Sequence, residues 1–270
     1  MARLMAAPHV VWSILFILAP LAFVFYYAFT DKTGAFTLNN IKELGSASYL
    51  DIFTRSLCFA LAATAICLLV AYPLAYAISR AKPRSQKICI MLTMLPMWMN
   101  FLIRTYSIMA ILEDTGFLNS LLGRIGLPPL HIINTGGAVI FGMVYNYLPY
   151  MVLPIYTVLS KLDNRLLEAS ADLGCTPMQT FFKVVMPLSR SGVVSGVTMV
   201  FVPSVSTFYI SQKLGGGKFQ LIGDVIERQF QSAYNYNLGA AMSLVLMVLI
   251  LLSLAVMNRY SDEEEGGLVA

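Results

Sequence analysis

Long uncharged apolar runs alternate with short polar segments along the whole chain. About 20 residues, at a rise of about 1.5 Å each, match the hydrocarbon thickness of a bilayer, so each run predicts a membrane-spanning helix. Six are predicted, over residues 9–29, 57–78, 88–112, 138–159, 192–210 and 238–257. The links between them are short, which leaves no room for a soluble catalytic domain and points to one membrane domain. Pro73, Pro96, Pro149, Pro154 and Pro203 fall inside these runs. Each removes a backbone hydrogen bond and bends its helix, a feature useful to a pathway that opens and closes and equally compatible with a structural kink. Small residues at Ala60, Ala62, Ala63 and Ala65, and at Gly192, Ser195 and Gly196, allow close helix approach.

Composition agrees: 58% of the residues are hydrophobic and 12% charged. Basic residues orient the chain. Arg80, Lys82, Arg84 and Lys87 crowd the link between spans two and three with no acid among them, which predicts a cytoplasmic link. Both termini and the segment near 160–190 are then cytoplasmic, and 30–56, 113–137 and 211–237 lie outside. The first run is too long for the apolar core of a signal peptide, contains Pro20 and lacks a small-x-small site, so an uncleaved anchor is expected. Asp262–Glu265 reads as a solvated acidic tail, and the net charge of +4 needs no nucleic acid to explain it. Cys58, Cys67, Cys89 and Cys175 form no Cys-x-x-Cys, and His9 and His131 are the only histidines, so neither a metal site nor a disulfide framework is expected. Leu214-Gly-Gly-Gly-Lys218 lacks the spacing and the following Ser or Thr of a phosphate loop.

The polar stretch after span four carries the most chemistry. Asp163 is placed to cap a short helix ending near Leu173, where Gly174 suits a left-handed stop. Thr176-Pro177-Met178-Gln179 then restarts a helix with a capping box and proline at its first position. On this second helix Met178, Phe181, Phe182 and Val185 follow helical spacing and predict one apolar stripe. Packing on the chain's own helices accounts for Val185, whereas Met178 and Phe181 lie nearer the tip. Burying each in a partner groove is worth about 1.5–3 kcal/mol.

Glu168-Ala169-Ser170, Gly174 and Val184-Val-Met-Pro187 resemble the EAA loop of ABC-importer permeases. Glu168, Ala169, Gly174 and Pro187 match in identity and spacing, while Ser170, Val184 and Met186 replace the usual Ala, Ile and Leu. The resemblance implies an all-α membrane protein with six transmembrane helices, the type I importer permease fold, and a cytoplasmic coupling-helix hairpin that docks on a separate ATPase. It implies coupling roles for Glu168, Ala169, Ser170, Gly174, Thr176, Pro177, Met178, Phe181 and Pro187. Asn100-Phe-Leu-Ile-Arg104-Thr-Tyr106, Gly116-Phe-Leu-Asn119, Phe208-Tyr209-Ile and Leu221-Ile-Gly223 extend the likeness over nearly the whole chain. They are similar to the B-type permeases of spermidine/putrescine importers. That likeness implies a homologous second permease, two ATPase subunits that hold ATP and Mg, an extracytoplasmic binding protein, a polyamine substrate and a place in the bacterial inner membrane. The expected organisation is an anchor and external loop over 1–53, a transmembrane core over 54–257 and an acidic tail over 258–270.

No Asp or Glu lies inside any predicted span, although a cation pathway usually needs carboxylates. The spans offer Trp98, Asn100, Tyr106, Tyr145, Asn146, Tyr147, Tyr150, Ser206, Thr207, Phe208 and Tyr209 instead. Aromatic faces attract ammonium groups by about 0.5–2 kcal/mol each, and aromatics in membrane helices also serve packing and interface belts. Arg104 is the one charge within a span: a structural or gating residue paired with Glu113, Asp114 or an acid of the second permease, or a side chain snorkelling to the interface. An importer for an oxyanion or iron would line its pathway with more basic residues. An intramembrane enzyme would need a nucleophile–base set or metal ligands, and the chain has no His-Glu-x-x-His or Gly-x-Ser-x-Gly.

Overall fold

A computed structural model describes residues 9–265, with side chains over 9–257. Among the described residues the regular structure is helical, with one isolated bridge between Thr30 and Phe36. Helix α1 (His9–Ala28), α3 (Ala47–Ser79), α7 (Gly136–Leu159) and the apolar part of α13 (Tyr236–Met257) are each long and apolar enough to cross a membrane. Two further crossings are bent pairs. Helix α4 (Pro83–Trp98) turns by 95° into Phe101–Arg124, which comprises α5 (Phe101–Leu112) and α6 (Phe117–Arg124). Helix α9 (Pro177–Leu188) turns by 66° into α10 (Arg190–Ser206). Short helices α2 (Asn39–Leu44), α8 (Asn164–Asp172), α11 (Tyr209–Leu214) and α12 (Ile222–Gln231) complete the chain.

Spans one, two, four and six fall where the apolar runs predict them. Helix α3 begins ten residues earlier than the expected 57–78, because Arg55 pairs with Asp51 at 2.6 Å, one turn away, and carries the helix beyond the apolar run. This places the expected 53/54 boundary inside a helix. Helix α13 itself runs on to Glu265, so the segment expected as an acidic tail begins as its last turns; residues 266–270 and Arg3 lie outside the described residues.

Spans three and five are not the continuous helices expected over 88–112 and 192–210. Span three breaks at Met99–Asn100. Pro96 withholds an N–H, and the Asn100 side chain caps α5 by accepting from the N–H groups of Leu102 (2.9 Å) and Ile103 (3.4 Å). Span five stops at Ser206; Thr207 is extended, and α11 starts two residues later. Gly223 seals that break from the side. A β-carbon there would lie 2.5 Å from the Ser206 carbonyl oxygen and 2.6 Å from that of Thr207.

Helices α3, α7 and α10 form the main core around Ala63, Cys67, Met143, Met151, Ile155 and Val200. Gly192 and Gly196 permit the close crossing of α10 on α7. A β-carbon at Gly192 would sit 2.9 Å from the Pro154 oxygen, and one at Gly196 would sit 2.7 Å from the Met151 sulfur. A second cluster around Ala60, Phe201, Ile222 and Met242 joins α3, α10, α12 and α13. The end of α1 is pinned to α13 by Asn237, whose side-chain amide donates to the Thr30 carbonyl at 2.7 Å.

Candidate functional site

The α8–α9 hairpin is built from its own sequence. Asp163 accepts from the Arg165 N–H at 3.0 Å and starts α8. Gly174 ends it at φ +81°, a conformation that L side chains rarely adopt. Thr176 and Gln179 form the reciprocal capping box, at 2.9 and 3.3 Å, with Pro177 at the first helical position. The two arms are joined by a 2.6 Å hydrogen bond between the Ser170 and Thr180 hydroxyls. Ser170 is buried, so its hydroxyl, where the EAA pattern has alanine, staples the hairpin shut.

The hairpin is also tied to the membrane helices. Arg80, at the end of α3, donates to the Asn164 side chain at 2.7 Å. Phe181 packs edge-on against Tyr72 and Tyr76, with ring centroids 5.5 Å away in each case. Tyr72 in turn shares a 2.6 Å hydrogen bond with Ser189. Phe181 is therefore half-buried in the chain's own packing, less exposed than its expected place near the tip implies. The single stripe expected over Met178, Phe181, Phe182 and Val185 is split as well. Residues Phe181–Val185 are wound as a π-helix, closed by the Met186 N–H on the Phe181 carbonyl. Pro187 has no N–H for the Lys183 carbonyl, and the wider turn absorbs that loss. Phe181 and Val185 turn inward, while Met178 (67% exposed) and Phe182 (55%) face out. Leu173, 85% exposed beside Gly174, joins Met178 at the tip. Sequence spacing passed over Leu173 because it reads as the last residue of a helix. Glu168, Ala169, Thr176 and Pro177 are exposed around it, and Pro187 lies lower, half-buried.

The second assembly lies where the two broken spans meet. Arg104 is 5% exposed and donates through Nη1 to the Pro96 carbonyl at 2.8 Å. It thereby caps the C-terminal end of α4 from the following helix, a favourable place for a cation against the helix dipole. Its Nε has no partner, and its guanidinium carbon stands 5.9 Å from the centre of the Phe101 ring. The expected pairing with Glu113 or Asp114 is not formed; Asp114 meets His131 at 3.0 Å instead. The charge stays next to the break, where it adds a second donor to the Pro96 carbonyl beside the Met99 N–H at 3.2 Å.

Across the junction, Tyr209 packs against Phe101 (6.0 Å) and edge-on against Tyr106 (5.9 Å). The Lys213 ammonium rests 5.3 Å from the Tyr106 ring centre and 5.7 Å from that of Tyr209. Lys213 was not among the sequence candidates, since it reads as a loop charge; its signal is the one-turn spacing from Tyr209. Tyr147 reaches the break of span five and donates to the Pro203 carbonyl at 3.4 Å. Thr207 is buried in that break, Ser206 donates back to its own helix, and Phe208 is exposed. Asn100, Arg104, Tyr106, Tyr147, Thr207 and Tyr209 are thus gathered at one junction. Asn146 is fully buried, its amide donating to the Gly142 carbonyl one turn back at 2.7 Å while its Oδ1 has no partner among the described residues. Trp98 and Tyr145 are exposed and contribute no ring contact among the described residues.

Residues 4–263 match the family described as binding-protein-dependent transport system inner membrane component. The spermidine/putrescine transport system permease protein PotB of Haemophilus influenzae is 39% identical over 256 residues, covering 92% of this chain and 90% of the relative. PotB of Escherichia coli is 36% identical, covering 93% and 94%. The E. coli inner membrane ABC transporter permease protein YdcU is 32% identical, covering 87% and 80%. Among solved structures, a bacterial ABC transporter involved in the import of the acidic polysaccharide alginate superposes with a TM-score of 0.78 at 16% identity, over 97% of this chain and 95% of the other. The same fold is seen in that transporter in complex with an alginate pentasaccharide-bound periplasmic protein. With its bent spans, its capped hairpin and this coverage, the chain belongs to the binding-protein-dependent inner-membrane transport components, the permease subunits of ABC importers rather than enzymes.

Proposed function

We propose that this chain is one of two permease subunits of a polyamine importer, taking spermidine or putrescine from an extracytoplasmic binding protein. The second permease supplies the other half of the pathway, and two ATPase subunits hold ATP and Mg. Both termini and the α8–α9 hairpin are cytoplasmic in this reading, a placement supported by the basic link Arg80–Lys87. Leu173, Met178 and the exposed backbone around Gly174 and Thr176 enter the ATPase groove, with Glu168 and Ala169 beside them. Ser170 and Pro187 shape the hairpin from within, and Phe181 passes its movement to Tyr72 and Tyr76 of α3.

The observation that carries the substrate is the 36–39% identity, over more than nine-tenths of the chain, to permeases named for spermidine and putrescine. The junction is chemically suited to such a cargo. Tyr106 and Tyr209 already receive one ammonium group, that of Lys213, on their ring faces. Such contacts are worth about 0.5–2 kcal/mol, weak enough for release while a separate binding protein supplies affinity. Arg104 holds the bend and stays off the cation's route. The test is ATPase activity of the reconstituted complex with its binding protein. Stimulation by spermidine- or putrescine-loaded protein is expected. Stimulation by another solute alone retains the importer and overturns the substrate, and no stimulation by any loaded protein overturns the coupling.

A further inference from the structure

Beside the junction, α11 and α12 enclose a cavity of about 210 Å³. Its wall includes Ser211, Gln212, Phe219, Gln220, Asp224 and Glu227. Asp224 is 8% exposed. One carboxylate oxygen, Oδ2, accepts from the Leu221 N–H at 2.8 Å and so caps the start of α12. The other, Oδ1, makes no hydrogen bond of good geometry, and the Ser211 and Gln212 side chains are the donors that face the carboxylate. Those donors are shared with other acceptors: Ser211 donates to the Phe208 carbonyl at 2.8 Å and the Gln212 amide to Glu227 at 3.1 Å. Arg228, also in the wall, donates to Gln220 at 3.1 Å. Capping α12 does not require an acid, since the Ile222 N–H is already held by Ser56 at 2.7 Å and an amide oxygen would serve Leu221 equally. Burial pushes the Asp224 carboxyl up to about 6, against the hydrogen bonds from Leu221, Ser211 and Gln212 that favour its charged form.

We propose that this cavity is a receiving site for a primary ammonium group, held by the carboxylates of Asp224 and Glu227, with the Gln220 and Ser211 oxygens and the Phe219 ring completing its surroundings. An ammonium carries three donors and one compact charge, which answers a buried carboxylate with a second acid beside it. Volume fits too: at about 30 Å³ per water, the cavity holds an ammonium with several methylenes. Two sources share this chemistry, a free polyamine entering the junction and a lysine of the docked binding protein. The first deepens the polyamine reading; the second rests only on the chain being an importer permease.

The test uses the purified permease–ATPase complex in nanodiscs, with Asp224→Asn and Glu227→Gln. Binding of radiolabelled 1,4-diaminobutane is measured without binding protein, and the affinity of the loaded binding protein is measured separately. A fall of about tenfold or more in diamine binding assigns the site to the free amine. A fall in binding-protein affinity alone assigns it to a partner lysine. If both variants assemble in normal yield with both affinities unchanged, Asp224 is a cap and nothing more, and the proposal is overturned. Glu227→Gln, at a half-buried residue whose side-chain oxygen still accepts from Gln212 after the change, carries the test if Asp224→Asn fails to assemble. Polyamine stimulation of the wild-type ATPase is read independently, so the site and the substrate assignment fail separately.

Discussion

Asp224 and Arg104 are two buried charges with opposite effects on stability. The carboxyl of Asp224 is pushed up to about 6 by burial, against an ordinary value of 3.8. A raised carboxyl favours the protonated form in the fold, so its stabilising contribution is present below about pH 4 and is lost as pH rises through 6. Asp224→Asn should therefore raise the melting temperature at pH 8, by roughly 1–3 kcal/mol of stability, with the gap closing below pH 4. An equal gain at both pH values would refute the linkage. Arg104 is stabilising, because it adds a charged donor to the Pro96 carbonyl at the end of α4. Arg104→Ala should cost about 1.5–3 kcal/mol, the range for a hydrogen bond to a charged group, and lower complex yield or uptake. Normal yield together with normal uptake would sink this role.

At the scale of elements, the hairpin separates packing from docking. Met178→Asp and Leu173→Asp should leave permease yield intact while ATPase co-purification falls by roughly tenfold or more, the equivalent of losing one buried apolar side chain of about 1.5–3 kcal/mol. Phe181→Asp should instead reduce the yield of the permease itself, because Tyr72 and Tyr76 lose their packing partner. The reverse pattern would put Phe181 back in the docking surface. Capping chemistry made most of this hairpin legible in the sequence: Asp163, Gly174, Thr176 and Gln179 do what local rules say. The π-turn was not legible, since its cause, Pro187, acts five residues upstream and turns Phe182 outward. The helix breaks were legible only as prolines. Hydropathy reads Met99–Asn100 and Thr207–Phe208 as parts of apolar runs, and it is the tertiary partners Arg104, Tyr147 and Gly223 that make a break tolerable there. Lys213 was missed for the same reason.

Across the whole molecule, the orientation proposed from Arg80–Lys87 can be read from natural cysteines. Cys175, half-exposed beside Gly174, should react with a membrane-impermeant maleimide in inside-out vesicles and resist it in intact cells. Cys67 should resist in both, being buried in the core with burial holding its environment apolar. Labelling of Cys175 from outside would invert the topology and move the Asp224 cavity to the cytoplasmic side.

The bend of span three also bears on how this protein is made. A nascent chain presents residues 88–112 to the insertion machinery as one apolar run carrying a single arginine. Nothing local to that run supplies α7 or α11, against which the bent arms rest. Insertion and bending are then expected as separate events, with the upright segment entering first and the 95° turn, begun at Pro96 and Asn100, completed once α7 and α11 have been synthesised. Until then Arg104 is a charge in lipid held by little besides its own segment. The interval between the two events is when this chain is most exposed to quality-control proteolysis, and the C-terminal third of the sequence ends it.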